Sequence, residues 1–273
     1  MSRRKGKLGR LLKTAPQCYA WAVVAGCAGD VNQEHPLSEG LRRGKRLRVV
    51  INRLPPGTDR WRQTFDKEVS AKQASALVLC EKHNGDLSKA DEEAVRMSGA
   101  LRELAERSRS TIIQPLETVT IAGHLFGRWL CKYYSGSMAM TGQTAHPDFV
   151  RYAFGEKTHR RLYFLFPAEL NQALRLGDTS NMPLQTYRTD GGHPEAFRVT
   201  FEGLHVVVST IKGGPHMKEV FDELPYPDGT RIIDRLKVLR MPEVHFRILL
   251  DWGGDPDDAR ILSPSGMPTP VRE

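Results

Sequence analysis

The string LCEKHN constrains the fold of this chain most, because its Cys80 and His83 are separated by only two residues. A tight turn with this spacing directs a thiolate and an imidazole at the same ion. Cys18 and Cys27 lie upstream, with eight residues between them. Together the four side chains form a Cys3His set suited to structural Zn²⁺, so we expect the two segments to meet. The alternative is that Cys18 and Cys27 are small buried apolar residues.

The amino-acid composition favours a metal-bound or core role for these thiols. Four cysteines in 273 residues are too few for a disulfide scaffold, and a hydrophobic content of 40% is enough to form a buried core. The longest apolar run, residues 18–29, is too short to span a bilayer. We therefore expect a cytoplasmic protein that does not enter a membrane.

The same apolar run permits a second interpretation. A basic start followed by AWAVVAGC is typical of a bacterial lipoprotein signal, with residues 24–27 as the cleavage box. Against this interpretation, the basic region is long, Gln17 interrupts the entry to the apolar run, and cleavage would remove Cys18. An exported lipoprotein lipidated at Cys27 stays as an alternative.

Positive charge is concentrated in the first quarter of the chain. The net charge of the whole protein is +8, yet residues 1–62 hold fourteen basic residues against four acidic ones. Such asymmetry favours contact with the phosphates of a nucleic acid, although a solubilising tail and a charged linker would give the same pattern. The candidate nucleic-acid contacts are Arg42, Arg43, Lys45, Arg46 and Arg48.

Hydrophobic periodicity predicts helices in the middle of the chain and strands around them. Helices are expected at residues 88–107, 123–134 and 148–154, and short strands at 47–51 and 76–79. The pattern then changes to period two, which predicts an antiparallel set with a tight hairpin at Glu202-Gly203. The strands of this set are expected at 162–166, 197–201, 204–209, 232–239 and 244–250.

Several polar residues have ordinary structural interpretations. Ser88 is the expected N-cap of the first long helix. Asp91 is interpreted as an acid in the first turn of that helix, with a role beside a metal site as the alternative. Cys131 and Trp129 are expected in the core, and His124 on a helix face.

Two strings extend the metal-site pattern, CAGDVNQEHPLSEGL and VLCEKHNGDLSKADEEA. In the first, Glu34 and His35 follow Cys27; in the second, Asn84 follows His83 directly. This arrangement resembles the HNH endonuclease superfamily, in an HNN-like variant, over residues 17–95. A looser likeness continues in IAGHLFGRWLCKYY. The first cysteine pair is spread more widely than in that family, and no residue can be identified as the middle Asn of its motif.

The resemblance implies a treble-clef, ββα-metal fold and hydrolysis of phosphodiester bonds. By this resemblance, His35 is the general base, and Glu34 and Asn84 hold one catalytic Mg²⁺ or Mn²⁺. The structural zinc would be separate from this ion. A neutral imidazole is a competent base at cellular pH, and one hard divalent ion suits a carboxylate and an amide oxygen.

The sequence therefore predicts an α+β protein with four segments. A disordered basic arm is expected at residues 1–16, a nuclease domain with a basic insertion at 17–110, a helical and antiparallel-sheet domain of unknown role at 111–254, and a disordered tail at 255–273. The predicted function is a metal-dependent endonuclease that acts on nucleic acid, with DNA preferred. The alternative is a non-catalytic, zinc-stabilised nucleic-acid-binding protein. The oligomeric state is open, and a homodimer is one alternative.

Overall fold

The computed structural model has mixed helices and strands, which confirms the α+β class. The predicted arm at 1–16 and tail at 255–273 lie outside the described residues. The described residues are 18–34, 41, 47–53, 62–69, 76–110, 115–166, 184–187, 194–210, 231–232, 236–240 and 244–252.

The N-terminal half contains two small antiparallel pairs of strands. Strand β1 (Val31–Glu34) pairs with β4 (Ala76–Cys80), and β2 (Leu47–Arg53) pairs with β3 (Arg62–Val69). Helix α1 (Glu81–Asp86) begins directly after Cys80, the last residue of β4. The strands at 47–51 and 76–79 are confirmed; β1, β3 and α1 were not predicted.

Two long helices form the centre of the molecule. The first is α2 (Ser88–Arg109), which agrees with its predicted range, although Leu87 is the N-cap residue and Ser88 does not cap the helix. The second is α3 (Gly123–Met140), which continues six residues past its predicted end because the added residues pack into the core. The two helices pack against each other. No helix in the described residues is long and apolar enough to cross a bilayer.

A short helix, α4 (Pro147–Ala153), packs against α3. The imidazole of His146 caps its start by accepting a hydrogen bond from the Asp148 backbone N–H at 3.2 Å. The sequence placed this helix correctly to within one residue, but it did not identify the capping side chain.

Most of the predicted C-terminal strands lie in a five-stranded antiparallel sheet with the order β10-β6-β9-β8-β7. The predicted hairpin joins β8 to β9 through Glu202 and Gly203, which both have positive φ angles of 49° and 80°. Positive φ at both central residues is the type I′ geometry that fits the twist of paired strands. The strands are β6 (Tyr163–Phe166), β7 (Leu184–Tyr187), β8 (Ala196–Phe201), β9 (Leu204–Ser209) and β10 (Arg231–Ile232).

The expectation of a single antiparallel set is wrong for the last strands. These form a separate sheet with the order β11-β12-β5, in which β12 (Phe246–Asp251) runs antiparallel to β11 (Leu236–Arg240) but parallel to β5 (Glu117–Ala122). The predicted strand at 232–239 is divided between the two sheets. Alternation of apolar residues predicts a strand, but it does not record which neighbour that strand pairs with.

A continuous hydrophobic core connects these elements. Aromatic rings of α3 pack on the five-stranded sheet. The ring centroids of Trp129 and Phe201 are 5.0 Å apart, and those of the stacked rings of Tyr134 and Phe197 are 4.4 Å apart. Trp129 and Cys131 are fully buried, as predicted. One cluster of buried residues extends from Cys18 to Leu250, so the core has no gap near residue 110. The division into domains at that residue stays a prediction.

An ion pair whose lysine side is buried connects the two long helices. The Lys132 side chain is 2% exposed and that of Asp91 is 25% exposed, and the ammonium lies 2.8 Å from both carboxylate oxygens. Asp91 is in the first turn of α2, as predicted, and its carboxylate makes this pair with α3.

We expect Asp91→Ala to lower the free energy of unfolding by about 3 kcal/mol, because it leaves the Lys132 charge buried without its carboxylate. The double variant Asp91→Ala/Lys132→Met should recover most of that loss, since it removes both charges. Denaturant unfolding measures both values. A cost below about 1 kcal/mol for the single variant would contradict a buried, coupled pair.

Candidate metal centre

Four side chains that are distant in sequence converge near the start of α1. The Sγ atoms of Cys18, Cys27 and Cys80 and a ring nitrogen of His83 all lie within 4.8 Å of one another. The His83 Nδ1 atom is 3.3 Å from Cys18 Sγ and 3.4 Å from each of the other two. Tetrahedral zinc with ordinary bond lengths would separate sulfur from nitrogen by about 3.6 Å. The predicted Cys3His cluster is confirmed, and its geometry suits a metal such as zinc.

The junction of β4 and α1 supplies two of these ligands. Cys80 is at the end of the strand and His83 is in the following helix, so the two-residue gap turns both side chains toward one point. The loop that contains Ala28 and Asp30 runs beside this junction. The backbone N–H of Glu81 donates to Asp30 O at 3.1 Å, and that of Lys82 donates to Ala28 O at 3.3 Å. These bonds bring Cys27 next to Cys80.

A glycine allows the loop to approach the helix so closely. Gly29 has a φ angle of +75°, and a Cβ atom built on it would lie 2.6 Å from the Glu81 carboxylate and 2.9 Å from its Cβ. A side chain at position 29 would therefore strain the backbone and collide with α1. The loop that carries Cys27 depends on this glycine.

Cys18 is held by a turn that is attached to the other side of β4. The backbone N–H of Tyr19 donates to Val78 O at 2.8 Å. Within the turn, the N–H of Trp21 donates to Cys18 O at 2.9 Å, and that of Val24 donates to Ala20 O at 2.8 Å. The wide spacing from Cys18 to Cys27 thus contains a folded turn, which places both thiols beside β4.

The protein environment lowers the pKa of one of the three thiols, that of Cys80, and raises the pKa of the other two. Burial raises the pKa of Cys18, and it raises the pKa of Cys27 to about 12. Burial also acts to raise the pKa of Cys80, but backbone N–H groups of His83 and Ala28 donate to its sulfur and lower that pKa overall. Backbone donors around a sulfur stabilise the thiolate that a metal requires.

The His83 ring is oriented by contacts on its other side. Its Nε2 atom lies 3.3 Å from the carbonyl oxygen of Ala25, which can only accept a hydrogen bond, so Nε2 is the donor and Nδ1 is the ring atom that faces the sulfur cluster. The ring is fully buried, and its centroid is 4.8 Å from that of Phe154. A carbonyl partner of this kind is typical of histidines that bind metals.

We expect zinc affinity to fall steeply as the pH falls. The thiols of Cys18 and Cys27 have raised pKa values, so they carry protons at neutral pH in the metal-free protein and must release them when zinc binds. Release of at least these two protons would weaken binding by about 100-fold or more for each pH unit lowered. Competition with a chromophoric chelator at several pH values measures this slope. A pH-independent affinity would contradict thiolate ligands.

The residues predicted to hold a catalytic ion are described only in part. Asn84 follows His83 on α1 and is half-buried. Glu34 lies opposite Ala76 in the β1–β4 ladder, about 10 Å along the strand from Val31, which faces Cys80. The side chain of Glu34 and all of His35 lie outside the described residues. The second-ion site therefore stays a prediction.

The candidate nucleic-acid contacts also stay a prediction. Arg48 belongs to β2, but its side chain is not described, and Arg42, Arg43, Lys45 and Arg46 lie outside the described residues. Sequence reasoning did not identify the partners of the His83 ring, Ala25 and Phe154. Neither has a signal in the sequence, because one acts through its backbone and the other comes from a distant helix end.

Together, the fold and the site define an α+β protein with a largely buried Cys3His cluster that suits a metal such as zinc. No family model, no curated protein and no solved structure matches this chain. The likeness to the HNH superfamily therefore stays a prediction that is carried by the residues quoted above.

Proposed function

We propose that this protein is a zinc-stabilised nuclease of the ββα-metal class, which hydrolyses phosphodiester bonds of nucleic acid, preferably DNA. One observation carries the proposal: a Cys3His cluster lies where strand β4, paired antiparallel with β1, runs directly into helix α1. Strand, strand, helix and an adjoining zinc centre are the parts that such a site requires.

The sequence positions of the polar residues support this assignment. Asn84 occupies α1 immediately after the zinc ligand His83, and Glu34 ends β1. In this proposal the zinc fixes the helix on the strand pair, so that Asn84 keeps a defined position. Glu34 and Asn84 would hold one Mg²⁺ or Mn²⁺, which supplies positive charge to the oxygens of the scissile phosphate.

The remaining chemistry belongs to the protein side chains. His35 accepts the proton of the attacking water, which makes the water a better nucleophile. The zinc thiolates take no part, since a Cys3His set fills all four positions of a tetrahedral ion and leaves none for substrate. Structural and catalytic metals therefore have separate roles.

The proposal is tested by adding Mg²⁺ or Mn²⁺ to the zinc-loaded protein and following the conversion of supercoiled plasmid to nicked or linear forms. Cleavage should need the added ion and should disappear in Asn84→Ala. The exposed His124 on α3 provides a matched control, because His124→Ala removes a polar side chain elsewhere. A protein that binds DNA but never cuts it would favour the non-catalytic alternative.

A further inference from the structure

A basic loop follows helix α4 and adjoins the metal centre. We define the basic loop as residues 155–161, with the sequence GEKTHRR, which contains Lys157, Arg160 and Arg161 against the single acid Glu156. The three basic side chains are exposed. Arg160 also makes an ion pair with Glu195 at 2.8 Å. Exposed basic residues are common on loops, but the backbone of this loop is also fixed by hydrogen bonds.

A buried carboxylate holds the backbone of the basic loop. Asp148, 2% exposed, accepts hydrogen bonds from the backbone N–H groups of His159 at 2.7 Å and Arg160 at 3.1 Å. At the other end of the loop, the N–H of Gly155 donates to Tyr152 O at 3.0 Å. The basic side chains therefore project from a fixed backbone, and little loop entropy is lost when they bind a partner.

An arginine from α3 lies against the same loop. Arg128 Nε donates to Ala153 O at 2.8 Å, and a Cβ atom built on Gly155 would be 3.4 Å from the Arg128 guanidinium carbon. Burial lowers the pKa of Arg128. Asp86 is close enough to act on Arg128 electrostatically, but its carboxylate forms an ion pair with Lys82, at 2.6 Å, and not with Arg128. No carboxylate among the described residues forms an ion pair with Arg128, and a half-buried guanidinium in this state suits an incoming anion.

The basic loop is joined to the metal centre through one ring. Phe154 directly precedes the loop, and its centroid lies 4.8 Å from that of the zinc-ligand candidate His83 and 6.3 Å from that of Tyr19. A strand of nucleic acid that crosses α1 would thus meet the basic loop next.

We propose that the basic loop and Arg128 form a phosphate-binding surface for the backbone of the nucleic acid. This inference rests on the proposed function for the identity of the partner, and it adds a contact surface outside the basic segment at residues 42–48. Phosphodiester groups suit the site because the exposed Lys157 and Arg161 belong to a loop whose backbone is held by hydrogen bonds. Beside this loop, the Arg128 guanidinium is oriented by its bond to Ala153 O.

The test compares DNA binding by two double variants that remove equal charge. Lys157→Ala/Arg161→Ala changes the basic loop. Arg109→Ala/Arg247→Ala is the matched control, because both arginines are exposed and lie near the far end of α2, roughly 30 Å from its start beside α1. Binding of a fluorescein-labelled duplex is followed by anisotropy at several salt concentrations, with zinc-loaded protein and no added Mg²⁺.

We expect the loop variant to bind about tenfold more weakly near 0.1 M salt, and its salt dependence to fall by roughly one to two units of log K per log salt. The control should match the wild type within about twofold. A third variant, Lys157→Glu, should weaken binding as well, and it changes an exposed side chain that makes no hydrogen bond or ion pair within the described part of the chain. Zinc content and melting temperature verify that each variant is folded.

The outcomes separate this inference from the proposed function. Equal binding by the loop variant and the control would overturn the phosphate-binding surface, whether or not the protein cuts DNA. The same holds if the wild type binds vesicles that contain phosphatidylserine but not the duplex. Loop-dependent binding without any cleavage would support the surface and contradict only the nuclease.

Discussion

Replacing Cys80 with serine is expected to abolish stoichiometric zinc binding and to lower the free energy of unfolding by about 4–5 kcal/mol. Serine keeps the size of the side chain but supplies no thiolate, so the ion would lose the one ligand whose pKa the protein already lowers. The remaining ligands come from separate segments, which the ion would no longer join. Zinc content after gel filtration and denaturant unfolding measure the two effects.

Cys131 provides the control for this experiment. It is fully buried in α3 but does not belong to the metal cluster. Cys131→Ala should retain one equivalent of zinc and cost about 1 kcal/mol, because it removes one core sulfur and leaves a small cavity. If Cys80→Ser retained a full equivalent of zinc with unchanged affinity, Cys80 would not be a ligand.

The second large effect is expected at His35. In the proposed nuclease, His35→Ala should slow plasmid cleavage about 10²- to 10⁴-fold, the usual contribution of a general base. Zinc content and the free energy of unfolding should not change, because this variant leaves the four cluster residues intact. Single-turnover cleavage rates in Mg²⁺ measure the effect, with His124→Ala as the control.

Two further observations decide how that result is interpreted. DNA binding by the His35→Ala variant should equal that of the wild type, since loss of a general base slows the chemical step and does not change the affinity for the DNA phosphates. Cleavage at the wild-type rate would contradict the role of His35. If both proteins bind DNA and neither cuts it, the protein is a zinc-stabilised binding module.

Local patterns predicted the helices and many of the strands well. Apolar residues at helical spacing located α2 and α3, and Glu202-Gly203 located the tight hairpin between β8 and β9. These features depend on residues that are close in sequence, so their periodicity and turn chemistry are visible directly. Element ends were less accurate, as in α3, where packing and not the sequence pattern decides where the helix stops.

Pairings between distant strands could not be predicted in the same way. β1 has only four residues and pairs with β4 across a long stretch of chain, and β5 pairs in parallel with β12 at the other end of the protein. β1 has no alternating pattern of its own, and the alternation in β5 covers only residues 118–121. Their partners are chosen by tertiary packing, which no short window of sequence records.

The sequence predicted the four candidate ligands of the site but not the groups that hold those ligands in position. Only a few residue types bind zinc through sulfur or imidazole, so Cys18, Cys27, Cys80 and His83 could be selected by type and spacing. The groups that orient them act through backbone atoms, as at Ala25. A backbone carbonyl or N–H exists at almost every residue, and for this reason its role is invisible before the fold is known.

X-ray absorption at the zinc edge of the purified, zinc-loaded protein tests the central claim most directly. We expect one zinc ion bound by three sulfur atoms at about 2.3 Å and one nitrogen at about 2.0 Å. A first shell that contains two or fewer sulfur atoms, or mainly oxygen, would contradict the Cys3His centre on which the proposed function depends.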